Sequence, residues 1–192
     1  SRRALKATLL HYLCWKTSPE LLKTSYDQAT NMTDAMTALA LIAHHDTPQA
    51  EAVIEDFHRK WKSDSLVMNK WFAAQAGSFS KNTLERVVRL SSHPEFDATN
   101  PNKVFALFYT FAGSNPLRFH DREGHGYRLI ADQILEIDRR NPQVAARLAT
   151  AFNDWKRWEP ALRDLAKMQI RRIHGTTQIS KNLYEIADRA LK

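Results

Sequence analysis

Two polar side chains near the start of a predicted helix have the types and the spacing to bind a carboxylate. Asn141-Pro142 ends one helical pattern and begins the next, with Asn141 as the N-cap and Pro142 as the first helical residue. Gln143 and Arg147 lie four residues apart, so they share one face of that helix. A guanidinium fork and an amide close to a helix N-terminus could together hold a carboxylate. The alternative is that Arg147 is a solvated cation on an amphipathic helix.

The histidines do not form a zinc-peptidase motif. Such a peptidase requires H-E-x-x-H on a helix, because both imidazoles then reach one metal ion, and the sequence lacks this pattern. His120 and His125 flank a polar loop that contains Asp121 and Glu123, and these groups could bind a metal, although a solvated loop is the favoured interpretation. We therefore predict no catalytic residue, no metal ligand and no cofactor in this chain, and no enzymatic activity for the chain alone.

Apolar residues recur at helical spacing along the whole chain, with short polar connections and no convincing strand. Short helices joined by tight turns pack as antiparallel neighbours. We therefore predict one all-α domain over residues 1–192, an irregular superhelix of about ten short antiparallel helices that resembles HEAT or armadillo repeats. The predicted helices span residues 2–16, 18–26, 31–43, 47–61, 65–76, 82–92, 100–113, 127–137, 142–155, 159–173 and 180–191.

Local signals predict where several of these helices begin or end. Thr47-Pro48 has the pattern of an N-cap followed by proline at the first helical position. Asn82 stands three residues before Glu85, the spacing of a capping box. Gly175 is expected to lie just beyond the end of a helix, as the C′ residue. Trp155 and Trp158 lie on or beside apolar stripes, which favours core packing, and a contact with another domain is the alternative interpretation.

Charge and cysteine content limit the possible partners. The net charge is +7, from 28 basic and 21 acidic residues, but the basic residues are scattered, so nucleic-acid binding is not favoured. One cysteine, Cys14, excludes an internal disulfide and fits a cytoplasmic protein. No apolar run approaches the length of a membrane span. The chain begins at Ser1 within a helical pattern, so we expect a fragment of a larger protein.

Several segments resemble the C-terminal domain of the bacterial aminopeptidase N family in both sequence and order. The members of this family are zinc-dependent alanyl aminopeptidases of the gluzincin type. The segments are NMTDAMTALA, LVMNKWFAAQA, AGSNPLRFH, GHGYRL, IDRRNPQVAARL and KNLYEIADRAL. The resemblance covers nearly the whole chain and implies the same helical fold. It also implies that zinc, the general base and the substrate-amine motif Gly-x-Met-Glu-Asn belong to a catalytic domain that this chain lacks.

The resemblance further implies a role for the helical domain and for two of its residues. In the family this domain resembles a lid over the catalytic domain, and the cavity beneath it admits small peptides. By matching position, Gln143 and Arg147 face that cavity and contact the peptide beyond the scissile bond. Some relatives have a second arginine in the helix after Asn100-Pro101, where this sequence has Phe105. The partners implied are the other domains of the same polypeptide and small peptide substrates.

One alternative from another functional class remains open at this point. A stand-alone helical-repeat module that binds protein or nucleic acid would show the same helical patterning and the same excess of basic residues. Activity of the isolated chain with added zinc would contradict the first interpretation, whereas salt-sensitive binding to DNA or RNA would favour the stand-alone module.

Overall fold

The computed structural model describes residues 2–14 and 19–192, and within these residues there are helices and no strand. Residues 15–18, which include the predicted end of the first helix and the predicted cap Ser18, lie outside the described residues. The α-helices are α1 (Arg2–Leu13), α2 (Pro19–Asp27), α3 (Met32–His45), α4 (Ala50–Trp61), α5 (Ser65–Ala76), α6 (Thr83–Ser91), α7 (Pro101–Val104), α8 (Thr110–Ser114), α9 (Pro116–Phe119), α10 (His125–Asp138), α11 (Pro142–Ala149), α12 (Pro160–Gly175) and α13 (Lys181–Leu191).

Polar side chains just before the first residue start many of these helices. The four NH groups at a helix N-terminus have no partner within the helix, and a short side chain that accepts from one of them removes that cost. Asn31 accepts from the NH of Asp34 at 3.0 Å, and Asp64 accepts from the NH of Leu66 at 2.9 Å. Ser180 accepts from the NH of Leu183 at 3.2 Å, at the start of α13. These starts confirm the boundaries predicted from sequence.

One predicted helix start is wrong, and one correctly predicted start lacks its expected cap bond. Thr47 does not cap α4, because the NH of Ala50 donates to its carbonyl at 2.9 Å in a turn, and the helix begins two residues later than predicted. Asn82 precedes α6 but its side chain accepts no cap bond; its amide instead donates to Asp46 at 3.1 Å. A local backbone turn replaces the expected cap at Thr47, whereas a contact with a residue distant in sequence replaces it at Asn82.

Two predicted helix ends also differ. The helix that begins at Pro142 ends at Ala149 rather than near Trp155, and short 3₁₀ turns at Thr150–Phe152 and Trp155–Arg157 follow it. Gly175 is the last residue of α12 and does not have the positive φ of a C′ glycine, since only Gly124 does so among the described glycines. Trp155 is buried, and its indole NH donates to the carbonyl of Ala190 at 2.9 Å, so it serves the packing of α13.

Consecutive helices pack against one another in pairs, and this arrangement builds a core that runs through the described residues. The closest pairs are α2 with α3, α10 with α11 and α12 with α13, and α11 also packs on α13. Aromatic rings dominate the fully buried side chains, as expected where short helices must fill space between one another. These rings are those of Phe57, Phe72, Phe108, Phe111, Phe119 and Tyr127.

The first helix has an apolar face that is exposed among the residues that the structure describes. Leu5, Leu9, Tyr12 and Leu13 on α1 are all exposed, with side-chain exposures between 46% and 71%. Contiguous exposed apolar side chains of this size commonly mark a surface that contacts another protein unit. No helix in the described part of the chain is both long and apolar enough to cross a membrane.

Candidate functional site

The helix α11 carries both residues that the sequence singles out. The carbonyl oxygen of the Asn141 side chain accepts from the NH of Val144 at 3.3 Å, and Pro142 occupies the first turn, so the predicted helix start is confirmed. Val144 and Leu148 are buried and fix the inner face of α11 against the core. Gln143 and Arg147 project from the opposite side and are exposed. Both side chains are therefore free to meet a ligand.

An aromatic ring orients the guanidinium of Arg147. Its central carbon lies 4.5 Å from the centre of the Phe105 ring, close enough for a cation–π interaction. Phe105 begins a π-helical turn, residues 105–109, between α7 and α8, so residues 101–114 form one helix with a widened middle. π-helical turns of this kind occur often at functional sites. The sequence shows Phe105 where some relatives have a second arginine, but it does not predict the contact between Phe105 and Arg147.

The polar loop residue His120 belongs to an aromatic cluster. Its Nδ1 lies 2.7 Å from the hydroxyl oxygen of Tyr127, and its ring centre lies 3.8 Å from that of Trp158. Burial lowers the pKa of His120 to about 4, because a protonated ring would lose its hydration there. His120 is therefore neutral at pH 7. Its partners, Tyr127 and Trp158, lie outside the loop, so the sequence alone does not predict these contacts.

His125, the other histidine of the metal alternative, is directed elsewhere. Its Nδ1 lies 3.4 Å from a carboxylate oxygen of Asp121 and 3.4 Å from one of Glu123, while His120 contacts Tyr127 instead. Within residues 2–14 and 19–192, no group of three or more histidine, cysteine, aspartate or glutamate side chains is placed to hold a metal ion. The structure thus does not bring the four loop residues together as ligands.

Gly126, the second residue of α10, allows α9 to pack closely on α10. A Cβ atom at this position would lie 2.5 Å from the carbonyl oxygens of Arg118 and Phe119, well inside van der Waals contact. The NH of Gly126 also donates to Asp121 at 2.8 Å, which fixes the loop at the start of the helix. This close approach sets the position of His120, which directly follows Phe119.

Comparisons with known proteins agree with this fold. A family model described as "Domain of unknown function (DUF3458_C) ARM repeats" matches residues 1–192. Aminopeptidase N of Caulobacter vibrioides is 44% identical over 167 residues, which is 86% of this chain and 19% of that protein. Aminopeptidase N of Escherichia coli is 34% identical over 194 residues, which is 100% of this chain and 22% of that protein.

One solved structure shows the same fold directly. Legionella pneumophila aminopeptidase A, solved in complex with aspartic acid, aligns with a TM-score of 0.92 and 32% sequence identity. The alignment covers 98% of this chain and 23% of that one. The chain spans about a fifth of the length of the relatives it matches.

The described helices and the family model together define an all-α domain built from ARM repeats, which confirms the predicted fold class. Each relative named above is an aminopeptidase in which the matching segment is one part of a much longer chain. The chain belongs to this ARM-repeat family and corresponds to the C-terminal helical domain of bacterial aminopeptidase N.

Proposed function

We propose that this domain covers the active-site cavity of a zinc-dependent aminopeptidase and binds the part of a small peptide beyond the scissile bond. Zinc and the groups that activate water would belong to the rest of that polypeptide, in keeping with the absence of an H-E-x-x-H pattern here. The domain would contribute binding and exclusion of large substrates, and not the chemical step.

The observation that carries this proposal is the stacking of Arg147 on Phe105. Arg147 is exposed and forms no ion pair with a carboxylate in residues 2–14 and 19–192, so its charge is available to a ligand. The Phe105 ring limits the orientations of the guanidinium, which lowers the entropic cost of binding an anion. Gln143 lies one turn nearer the positive end of the helix and adds an amide donor. The anion that a short peptide offers is its C-terminal carboxylate.

The other domains of the same polypeptide are the proposed partners. Leu5, Leu9 and Tyr12 of α1 present apolar surface that burial against another domain would stabilise. At about 25 cal/mol for each Å² of apolar area, a few such side chains contribute several kcal/mol to docking.

The test uses the full-length enzyme that carries this domain. A charge-assisted hydrogen bond contributes about 1.5–3 kcal/mol, so Arg147→Ala should raise KM for tripeptides about tenfold or more. The contact is remote from the reacting bond, so kcat should change little. An amino-acid arylamide has no carboxylate, and its KM should be unaffected.

Arg139→Ala is the matched control, because Arg139 is an exposed arginine at the end of the neighbouring helix and pairs only weakly with Glu136 at 3.5 Å. It should leave both substrate classes unchanged. Equal losses on tripeptides and arylamides with Arg147→Ala would show that Arg147 is structural and would defeat the proposal.

A further inference from the structure

A pocket of about 330 Å³ opens beside the Arg147–Phe105 pair, and nothing described above gives it a role. Its lining includes two exposed aromatic rings, those of Tyr109 and Trp158, which are 38% and 37% exposed. Gly113 also lines it and leaves the wall open, since a Cβ there would find its nearest neighbour, the Tyr109 ring, at 3.9 Å. The pocket is thus large enough for one amino-acid side chain and has aromatic surface to contact it.

Two contacts connect this pocket to Arg147. The Phe105 ring packs edge-to-face on the Tyr109 ring, with centres 5.9 Å apart, and Arg147 lies 4.5 Å above the Phe105 ring. The guanidinium carbon is therefore at most 10.4 Å from the Tyr109 ring centre, the sum of these two distances. Thr150, which lines the pocket, donates its hydroxyl to the carbonyl of Arg147 at 2.7 Å. A carboxylate on the guanidinium and the extended side chain of the same lysine or arginine residue can together cover this separation.

The charge of the pocket differs from that of the chain as a whole. Of the described residues that line it, Asp154 is the only one with a formal charge at pH 7. His120 also lines the pocket and is neutral, since burial lowers its pKa to about 4. A carboxylate that lines the same pocket as a tyrosine and a tryptophan ring forms an environment that can attract organic cations. The chain itself carries a net charge of +7, so this local acidity is not a consequence of its composition.

We propose that this pocket binds the basic side chain of a lysine or arginine in a peptide substrate whose C-terminal carboxylate lies on Arg147. The inference rests on the proposed function, because it takes Arg147 as the anchor of the peptide. The ammonium or guanidinium group would lie between the Tyr109 and Trp158 rings and pair with Asp154. A C-terminal lysine or arginine would then place its side-chain cation at Asp154 and its carboxylate at Arg147.

Arg157 competes with such a ligand for the same carboxylate. Its Nη1 lies 3.6 Å from the nearer carboxylate oxygen of Asp154, but both side chains are highly exposed, 80% and 73% respectively. An exposed pair of this kind is weak, so a cation that also contacts two aromatic rings can displace it. Removing Arg157 should therefore strengthen the preference for basic peptides, which is a change of opposite sign from removing Asp154.

The test compares Ala-Ala-Lys with Ala-Ala-norleucine in the full-length enzyme, since these peptides differ at the end of one side chain. Asp154→Asn should lower the ratio of their kcat/KM values about two- to fivefold, and Arg157→Gln should raise it. Gly113→Leu should fill the pocket and lower that ratio toward one, whereas Gly113→Ala, which has room for its methyl group, should leave it unchanged. None of these variants should alter hydrolysis of an arylamide.

The outcomes separate this inference from the proposed function. If Arg147→Ala weakens both tripeptides while Asp154→Asn and Arg157→Gln leave the ratio unchanged, the pocket does not bind the basic side chain, although Arg147 still binds the carboxylate. If the ratio shifts in both predicted directions but Arg147→Ala has no peptide-specific effect, cation binding at Asp154 is supported and the carboxylate contact is rejected. A fall in the ratio with Arg157→Gln would also overturn the inference.

Discussion

The guanidinium carbon of Arg147 lies 4.5 Å from the centre of the Phe105 ring, although 42 positions separate the two residues in sequence. The cation therefore rests on an aromatic face, which orients it without neutralising it. A carboxylate in the place of Phe105 would orient the guanidinium equally well, but it would neutralise the charge that the proposed carboxylate ligand requires. The pairing thus combines a fixed geometry with an available positive charge.

We expect Phe105→Leu in the full-length enzyme to raise KM for tripeptides about two- to fivefold, with little change in kcat. The substitution removes the ring but keeps an apolar side chain, and a cation–π contact at an exposed site contributes about 0.5–1 kcal/mol. Steady-state kinetics on a tripeptide and an arylamide provides the measurement. The double variant with Arg147→Ala should be no worse than Arg147→Ala alone, because the ring acts through the guanidinium. Additive losses would mean that Phe105 contacts the substrate or the core independently.

The sequence predicts best those features that neighbouring residues determine. Asn141-Pro142 and Asn100-Pro101 each combine a side-chain cap with a proline that fits the first helical turn, and both helices begin there. The approximate positions of Gln143 and Arg147 on one exposed face follow from that start. The same logic fails at Thr47, since the backbone turns there and Asp46 adopts a positive φ of 49°.

Contacts between distant residues left no such local signal. Phe105 meets Arg147, and His120 meets Trp158, only because of how the helices pack. The sequence also does not predict the end of α11 at Ala149. Phe152 and Trp155 are buried in short 3₁₀ turns, and their apolar spacing resembles that of a continuing helix. The sequence thus predicts Gln143 and Arg147 as candidate site residues, but it does not predict the contact between Arg147 and the Phe105 ring.

Gly126→Ala should destabilise the domain by about 3 kcal/mol, near the upper end of the cost of overpacking. Its Cβ would lie 2.5 Å from two backbone carbonyl oxygens, and backbone cannot move aside as a flexible side chain can. Gly113→Ala is the control, because its Cβ would lie 3.9 Å from the Tyr109 ring, an ordinary contact, and alanine favours a helix. Urea unfolding of the three proteins gives the comparison. Similar stabilities for both variants would show that the loop before α10 relaxes easily.

Asp138→Asn should lower the free energy of unfolding by about 1–3 kcal/mol. Asp138 is buried at the end of α10 and accepts two hydrogen bonds from Ser180, one from the backbone NH at 2.7 Å and one from the hydroxyl at 2.5 Å. An asparagine keeps one acceptor for the backbone NH of Ser180, but its amide NH2 faces the Ser180 hydroxyl, which must then accept instead of donate. Two bonds to a charged carboxylate are thereby replaced by weaker bonds to a neutral amide. These bonds hold the start of α13 against α10.

Asp132→Asn on the same helix is the matched control for Asp138. Asp132 pairs with Arg172 at the surface, with side chains that are 51% and 38% exposed, and such pairs contribute little. Its thermal midpoint should change by less than that of Asp138→Asn. An equal shift in the two variants would indicate that the bonds to Ser180 do not stabilise the fold beyond an ordinary surface contact.

The neutral state of His120 should make the stability of the domain fall as the pH decreases from about 6.5 toward 4. Burial lowers the pKa of His120 from 6.5 to about 4, so over this interval the unfolded chain binds a proton that the folded chain excludes. Its contribution is fully present above pH 6.5 and is lost as the pH falls. Burial also lowers the pKa of His44 and of His93, so the wild type has this trend from several residues at once.

His120→Gln isolates the contribution of His120 to the pH dependence of stability, because glutamine can still form a hydrogen bond with Tyr127 but does not titrate. The variant should be less stable than the wild type at pH 7, where it loses the stacking on Trp158. The difference in free energy of unfolding between wild type and variant should narrow by pH 5. Only in the wild type does the unfolded chain gain stability by protonating position 120. The difference in slope should correspond to less than one proton, because solvent screens a half-buried ring. Urea unfolding at several pH values measures both slopes, and parallel curves would mean that His120 has an ordinary pKa in the folded protein.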